Sequence, residues 1–116
     1  TDVGLNTSDG EGWGLISFEH AACKKPQVVP AHTSCKDIWE NAGKLIDVET
    51  WIWDKDLSVK RGIVNSSHAA KLLTELYEDP EKYAATAQAC FEVTQRPEYR
   101  WESVSGGFNA AIKEMV

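Results

Sequence analysis

Two carboxylates, Glu11 and Glu19, stand in and just after a run with glycines at positions 10, 12 and 14. Without Cβ atoms such a loop can turn sharply and let its backbone come close to a ligand. A helix expected from about Leu15 would aim its unpaired N–H groups and the positive end of its dipole back at the loop, an arrangement suited to phosphate. Glu11 falls in the loop and Glu19 about one turn into that helix, so both are placed to face one pocket, at its mouth and along its wall. Carboxylates beside a phosphate repel it unless they hold something else. Sugar hydroxyls donate the hydrogen bonds that carboxylates accept. The chemistry points to a ligand joining phosphate to polyols: a nucleotide or a nucleotide sugar.

The surrounding pattern is that of an α/β protein. Residues 3–7 read as a short buried strand running into the loop. Lys24-Lys25-Pro26 ends the first helix, because Pro cannot continue it and Lys suits a helix C-terminus. Gln27-Val28-Val29 is a second strand closed by Pro30, and strand–helix–strand is the signature of a parallel sheet. Thr33 or Ser34 is placed to cap a short helix over residues 35–41, and residues 44–48 form a third strand. Trp51-Ile52-Trp53 alternates large apolar groups ahead of an Asp54-Lys55-Asp56 turn, so residues 49–61 read as a hairpin or short insertion. Its tryptophans are candidates for stacking on a sugar or docking a partner, and more simply for covering a sheet edge.

Residues 62–64 read as a last short strand. Asn65 to Ser67 then caps a helix to about Glu78, with Ala69, Leu72, Leu73, Leu76 and Tyr77 on one face. Asp79 caps another helix with Pro80 at its first position, and Tyr83, Ala87, Cys90, Phe91 and Thr94 line its buried side. Pro97 breaks it. A final helix from Trp101 carries Val104, Phe108, Ala111, Ile112 and Met115 as a core stripe, with Gly106-Gly107 marking a bend or a close backbone contact.

Composition narrows the function classes. With 116 residues, 42% of them hydrophobic and five Trp, the chain is a globular unit of at most one domain. A net charge of −6 argues against nucleic acid or an anionic membrane as the main partner. No apolar run reaches the length of a membrane span. Thr1 is not an initiator Met, so the chain reads as a part of something longer. Cys23, Cys35 and Cys90 are odd in number, lack C-x-x-C spacing and sit among apolar residues, so all three read as buried free thiols in a reducing, cytoplasmic setting. No Cys or His pair has zinc-ligand spacing, and no metal or other cofactor is expected. His20 reads as a surface or helix-packing residue. Gly10-Glu11-Gly12 opens like a dinucleotide fingerprint, but Leu15 stands where the third glycine belongs. Ser17 has no adjacent base and no G-x-S-x-G around it, which argues against a serine hydrolase.

Glu11-Gly12-Trp13-Gly14-Leu15 through Glu19-His20-Ala21-Ala22-Cys23, followed by Pro26-Gln27-Val28-Val29, resembles the E-x7-E region of family 4 retaining glycosyltransferases. The flanks follow the family's order to the C-terminus, with departures at Lys25, where a glycine is usual, and at His32-Thr33-Ser34-Cys35, which lacks a usual glycine pair. The resemblance implies the C-terminal, Rossmann-like donor domain of a GT-B enzyme, a parallel sheet flanked by helices. It implies transfer of a sugar from a UDP- or GDP-sugar, with a lean towards GDP-mannose, and retention of configuration. Glu11 would hold hydroxyls of the donor sugar as the catalytic-site carboxylate, and Glu19 would hold the ribose. Backbone N–H groups around Gly12, Trp13, Gly14 and Leu15 would contact sugar and diphosphate, and the loop at residues 31–34 would lie near the base. The acceptor, a glycan or other molecule, would be bound by an N-terminal domain outside these residues, as would a basic pair that neutralises the diphosphate. The isolated segment is then expected to be inactive. Two rival readings stay open: a non-catalytic nucleotide- or sugar-binding module, and a phosphate-binding regulatory domain.

Overall fold

The computed structural model describes residues 1–116. Its elements run β1 (Gly4–Leu5), α1 (Leu15–Ala22), β2 (Gln27–Pro30), α2 (Thr33–Trp39), β3 (Lys44–Ile46), β4 (Val48–Asp54), β5 (Val59–Val64), α3 (Ser66–Glu78), α4 (Pro80–Thr94), a single 3₁₀ turn (Pro97–Tyr99) and α5 (Trp101–Met115). β1, β2 and β3 form a parallel sheet in that order, joined through α1 and α2. Successive side chains of a strand point to opposite faces, so Val28 and Val29, both fully buried, seed two cores. Val29 packs with Ala21, Cys35, Ile38, Trp39, Cys90 and Val93, from α1, α2 and α4. Val28 packs with Ile46 and, from α3, Ala69, Leu72 and Leu76. The result is a three-layer α/β arrangement with the sheet covered on both faces.

Helix ends follow their signals. The Asn65 side chain accepts a hydrogen bond from the His68 N–H and Asp79 does the same for Lys82, with Pro80 opening α4. At the end of α1, Lys24 takes the left-handed conformation (φ 56°) that a glycine usually supplies in such a turn. His20 is a packing residue. Its Nε2 reaches the Thr1 carbonyl at 3.0 Å and its Nδ1 lies 3.1 Å from Gln27 Nε2, tying the chain start to α1 and β2.

Several expectations are corrected. The first strand is two residues long rather than five and is not buried. Leu5 is 51% exposed because β1 pairs only with β2, and an Asx turn from Asn6 Oδ1 to the Ser8 N–H ends it. Residues 62–64 belong to β5, which pairs antiparallel with β4 in a separate two-stranded sheet, so they add no strand to the parallel sheet. The turn between them is held by Asp54 Oδ1, which accepts from the N–H groups of Asp56 and Leu57 at 3.0 Å each. Thr33 and Ser34 do not cap α2 with their side chains; His32 is the cap residue and makes no capping bond. Tyr77 is 89% exposed, one position off the Leu72–Leu76 stripe. On α4, Thr86 and Val93 are buried where Phe91 and Thr94 were expected to be. α5 buries none of its residues, and it runs unbroken through Gly106 and Gly107, which have nothing near them. Its apolar stripe is real, but within this chain only the 3₁₀ turn packs closely against the helix. No helix is long and apolar enough to cross a membrane.

Candidate functional site

The turn into α1 depends on Gly14. It is the only one of the three loop glycines with positive φ (83°), which a side chain would strain, although a Cβ there would make only ordinary contact with the Glu11 side chain at 3.4 Å. Gly10 and Gly12 have open space around them and no positive φ, so the turn does not depend on them. Gly14 carries no capping side chain, and the first backbone bond of the helix is from Phe18 N–H to Gly14 O. The N–H groups of Leu15, Ile16 and Ser17 therefore have no acceptor in the chain, as expected for a first helical turn.

These groups open onto a cleft of about 650 Å³ lined by Asn6, Ser8, Glu11, Trp13, Ile16 and Ser17 among others, a volume within the range of small-molecule sites. Ser17 is 5% exposed, lines the cleft and makes no side-chain hydrogen bond. The Ser8 hydroxyl, another lining group, is likewise buried without a partner. Glu11 Oε1 accepts from the Gly12 N–H at 3.1 Å, which leaves the other carboxylate oxygen to the cleft. The Glu11 charge is felt at Cys35. Burial chiefly, and Glu11 secondarily, push that thiol up to about 11.

Glu19 does not join this cleft. It lies two residues beyond Ser17, roughly 200° around the helix, so Glu11 and Glu19 face different hollows. Glu19 and Leu15, one turn apart on the same side, line a second hollow of about 570 Å³ with Trp13, Phe18, Glu98, Tyr99, Trp101 and Val104. Trp13 and Leu15 form the shared wall between the two. Trp13 is fixed there by Tyr99 (centroids 5.1 Å, edge-on) and Phe18 (5.6 Å). Of the expected site residues, Glu11, Trp13, Gly14 and Leu15 come together; Gly12 lies in the loop beside them, and Glu19 sits across the wall.

The loop is braced from outside. The Asp9 carbonyl accepts from the Gly62 N–H at 2.8 Å, and the Asp9 carboxylate pairs with Arg61 at 3.0 Å. Arg61 also pairs with Asp54 at 2.7 Å, and its guanidinium is held above its usual range, first by Asp9. Asp54 is held below the usual carboxylate range, first by the Leu57 N–H and then by Arg61. The β4–β5 hairpin is thus joined to the candidate site. Sequence reasoning missed Ser8 and Arg61 as parts of this region, and it set the 31–34 loop beside a nucleotide base, whereas Thr33 and Ser34 bond the backbone of Glu11. Ser17 was within reach, since the third residue of a helix begun at Leu15 must lie beside its N-terminus. No group of three or more His, Cys, Asp or Glu side chains is placed to hold a metal ion.

The thiols divide in two. Cys35 and Cys90 are buried, and burial pushes Cys90 too up to about 11. Cys23, expected to be buried, is exposed at the end of α1. A thiol reagent at neutral pH should therefore titrate one cysteine in the native protein and all three in denaturant. Fast reaction of a second native thiol would contradict the packing described.

Fold and cleft define an α/β protein whose three-stranded parallel sheet is flanked by helices and whose first long loop delivers a helix N-terminus to a cleft. Compared with known proteins, the chain matches no protein-family model and no curated protein.

Proposed function

We propose that this chain is the donor-binding part of a retaining glycosyltransferase, a Rossmann-like half that holds a UDP- or GDP-sugar. The observation that supports this reading best is the meeting in one cleft of the Glu11 carboxylate, the free N–H groups opening α1 and the Ser17 hydroxyl. The amides and hydroxyl donate to a diphosphate, where the helix dipole adds its favourable field. Glu11 accepts from sugar hydroxyls. A donor lying across Trp13 and Leu15 brings its ribose to Glu19 and places its nucleoside beside Tyr99 and Trp101. The work of such a site is orientation and stabilisation of charge on the departing diphosphate.

No Lys or Arg lines either hollow. Neutralisation of the leaving group then falls to residues outside this chain, and the segment alone binds donor without transferring sugar. The same observation favours, as a second reading, a module that binds nucleotide sugars and does no chemistry.

Ligand-observed NMR with UDP-glucose, GDP-mannose, GDP and inorganic pyrophosphate tests the proposal. The expected result is binding of at least one nucleotide sugar in preference to pyrophosphate. Equal binding of pyrophosphate would leave only a phosphate site, and no binding by either sugar nucleotide would remove the donor reading.

A further inference from the structure

Thr33 carries a left-handed backbone (φ 48°), a conformation that β-branched residues avoid. Strain of this kind persists only where surrounding contacts enforce it. The contacts at Thr33 and its neighbour lead to Glu11. The Glu11 N–H donates to Thr33 Oγ1 at 3.2 Å, and the Ser34 hydroxyl donates to the Glu11 carbonyl at 3.0 Å. Both polar groups of the Glu11 backbone are therefore held by two adjacent side chains at the start of α2, 22 and 23 residues away. These are the hydroxyls that leave α2 without a side-chain cap.

A further layer fixes Thr33. His32 Nδ1 lies 3.1 Å from Thr33 Oγ1, and the hydrogen bond between them ties the Thr33 side chain to the imidazole. His32 is 4% exposed and its Nε2 is buried without a partner, so it sits in a tightly shaped slot. One wall is Trp51, at 5.7 Å between ring centroids, and the other is Gly62, where a Cβ would come within 2.7 Å of the imidazole. The hairpin thus presses His32 against Thr33, and Thr33 holds the backbone of Glu11.

We infer that Thr33 and Ser34 are positioning residues for Glu11, a two-hydroxyl clamp that His32 and the β4–β5 hairpin keep in place. The role of Glu11 towards sugar hydroxyls is taken from the donor-binding reading; the clamp itself rests on the contacts above. A carboxylate on a glycine-rich loop would otherwise sample many directions, and tethering its backbone at both ends reduces the freedom lost when ligand binds.

The test uses Thr33→Val, Thr33→Gly and Thr33→Ser in the full chain. Val removes the hydroxyl at nearly constant volume; Gly removes it while accepting the positive φ, so at least one variant keeps the fold. Ser restores the acceptor. Amide exchange at Glu11 is expected to speed up about five- to tenfold in the Val and Gly variants and to return towards the parent rate with Ser. Affinity for the preferred nucleotide sugar should fall by a similar factor, about five- to tenfold, and recover in the same order. In a Glu11→Ala background, Thr33→Gly should cost no further affinity, because a clamp acting through Glu11 loses its purpose there. Unchanged Glu11 exchange in Thr33→Gly would overturn the clamp. So would an affinity loss that adds in full to that of Glu11→Ala. If the parent protein binds no nucleotide sugar, the donor reading fails, and the exchange rates still decide whether Thr33 holds Glu11.

Discussion

Trp39→Ala should lower the unfolding free energy by about 3–5 kcal/mol, the cost of deleting a large aromatic from a closed core. Trp39 is fully buried at the end of α2, where it meets Val29 from the sheet and Cys90 and Val93 from α4, with the Phe18 ring 6.2 Å away. Only 21 of 116 residues are buried, so the cores are thin and few neighbours can close the resulting hole. Against a total stability of about 5–15 kcal/mol for a domain of this kind, the loss is large. Trp39→Phe should be much milder. The indole Nε1 is buried without a hydrogen-bond partner, and phenylalanine removes that unsatisfied donor, a gain of about 1–3 kcal/mol set against the smaller ring. Urea unfolding followed by far-UV circular dichroism separates the two variants. A Trp39→Ala loss below about 1 kcal/mol would mean that α2 does not anchor this side of the sheet.

The parallel sheet and its helices were legible because their signals are local: Val28 and Val29 between a helix stop and Pro30, Asn65 ahead of a periodic stretch, Asp79 before Pro80. What was not legible depends on partners distant in sequence. Leu5 reads as buried by type, yet its strand lies at a sheet edge. Residues 62–64 look like any short strand, and only the pairing of Val64 with Val48 and of Gly62 with Trp51 assigns them to a hairpin. The α5 stripe has helical period, but period does not say whether a partner element is present. The site divides the same way. Gly14 and the start of α1 follow from the sequence, whereas the parting of Glu11 from Glu19 is decided by how the loop enters the helix. Thr33 and Ser34 fit a helix cap just as well as a clamp, and the choice between them is made by a loop 22 residues upstream.

Glu11→Gln should weaken binding of the preferred nucleotide sugar about five- to thirtyfold, the difference between a charged and a neutral hydrogen-bond acceptor. Glutamine keeps the length of the side chain, and its carbonyl oxygen can still accept from the Gly12 N–H, as Oε1 does at 3.1 Å, so the loop has no new reason to move. The sign of the effect carries the meaning. If Glu11 faces sugar hydroxyls, neutralising it weakens the sugar nucleotide, while GDP or UDP, which lack the sugar, bind unchanged or slightly better because a repulsive charge near the diphosphate is gone. If Glu11 instead faces the phosphates, Glu11→Gln strengthens every ligand, most of all at low salt where the repulsion is least screened. Titrating parent and variant with a nucleotide sugar and its free nucleotide at two salt concentrations distinguishes these cases. Weaker binding confined to the sugar-bearing ligand would tie Glu11 to the sugar, and stronger binding of both would turn the cleft into a phosphate site with a misplaced carboxylate. Cys35 gives a control that needs no ligand. The Glu11 charge contributes to holding that thiol up at about 11, so in Glu11→Gln it should ionise at lower pH, by a modest step, since burial remains the larger cause. A Cys35 thiol that titrates unchanged would mean that the Glu11 charge does not reach it and that burial alone holds the thiol up.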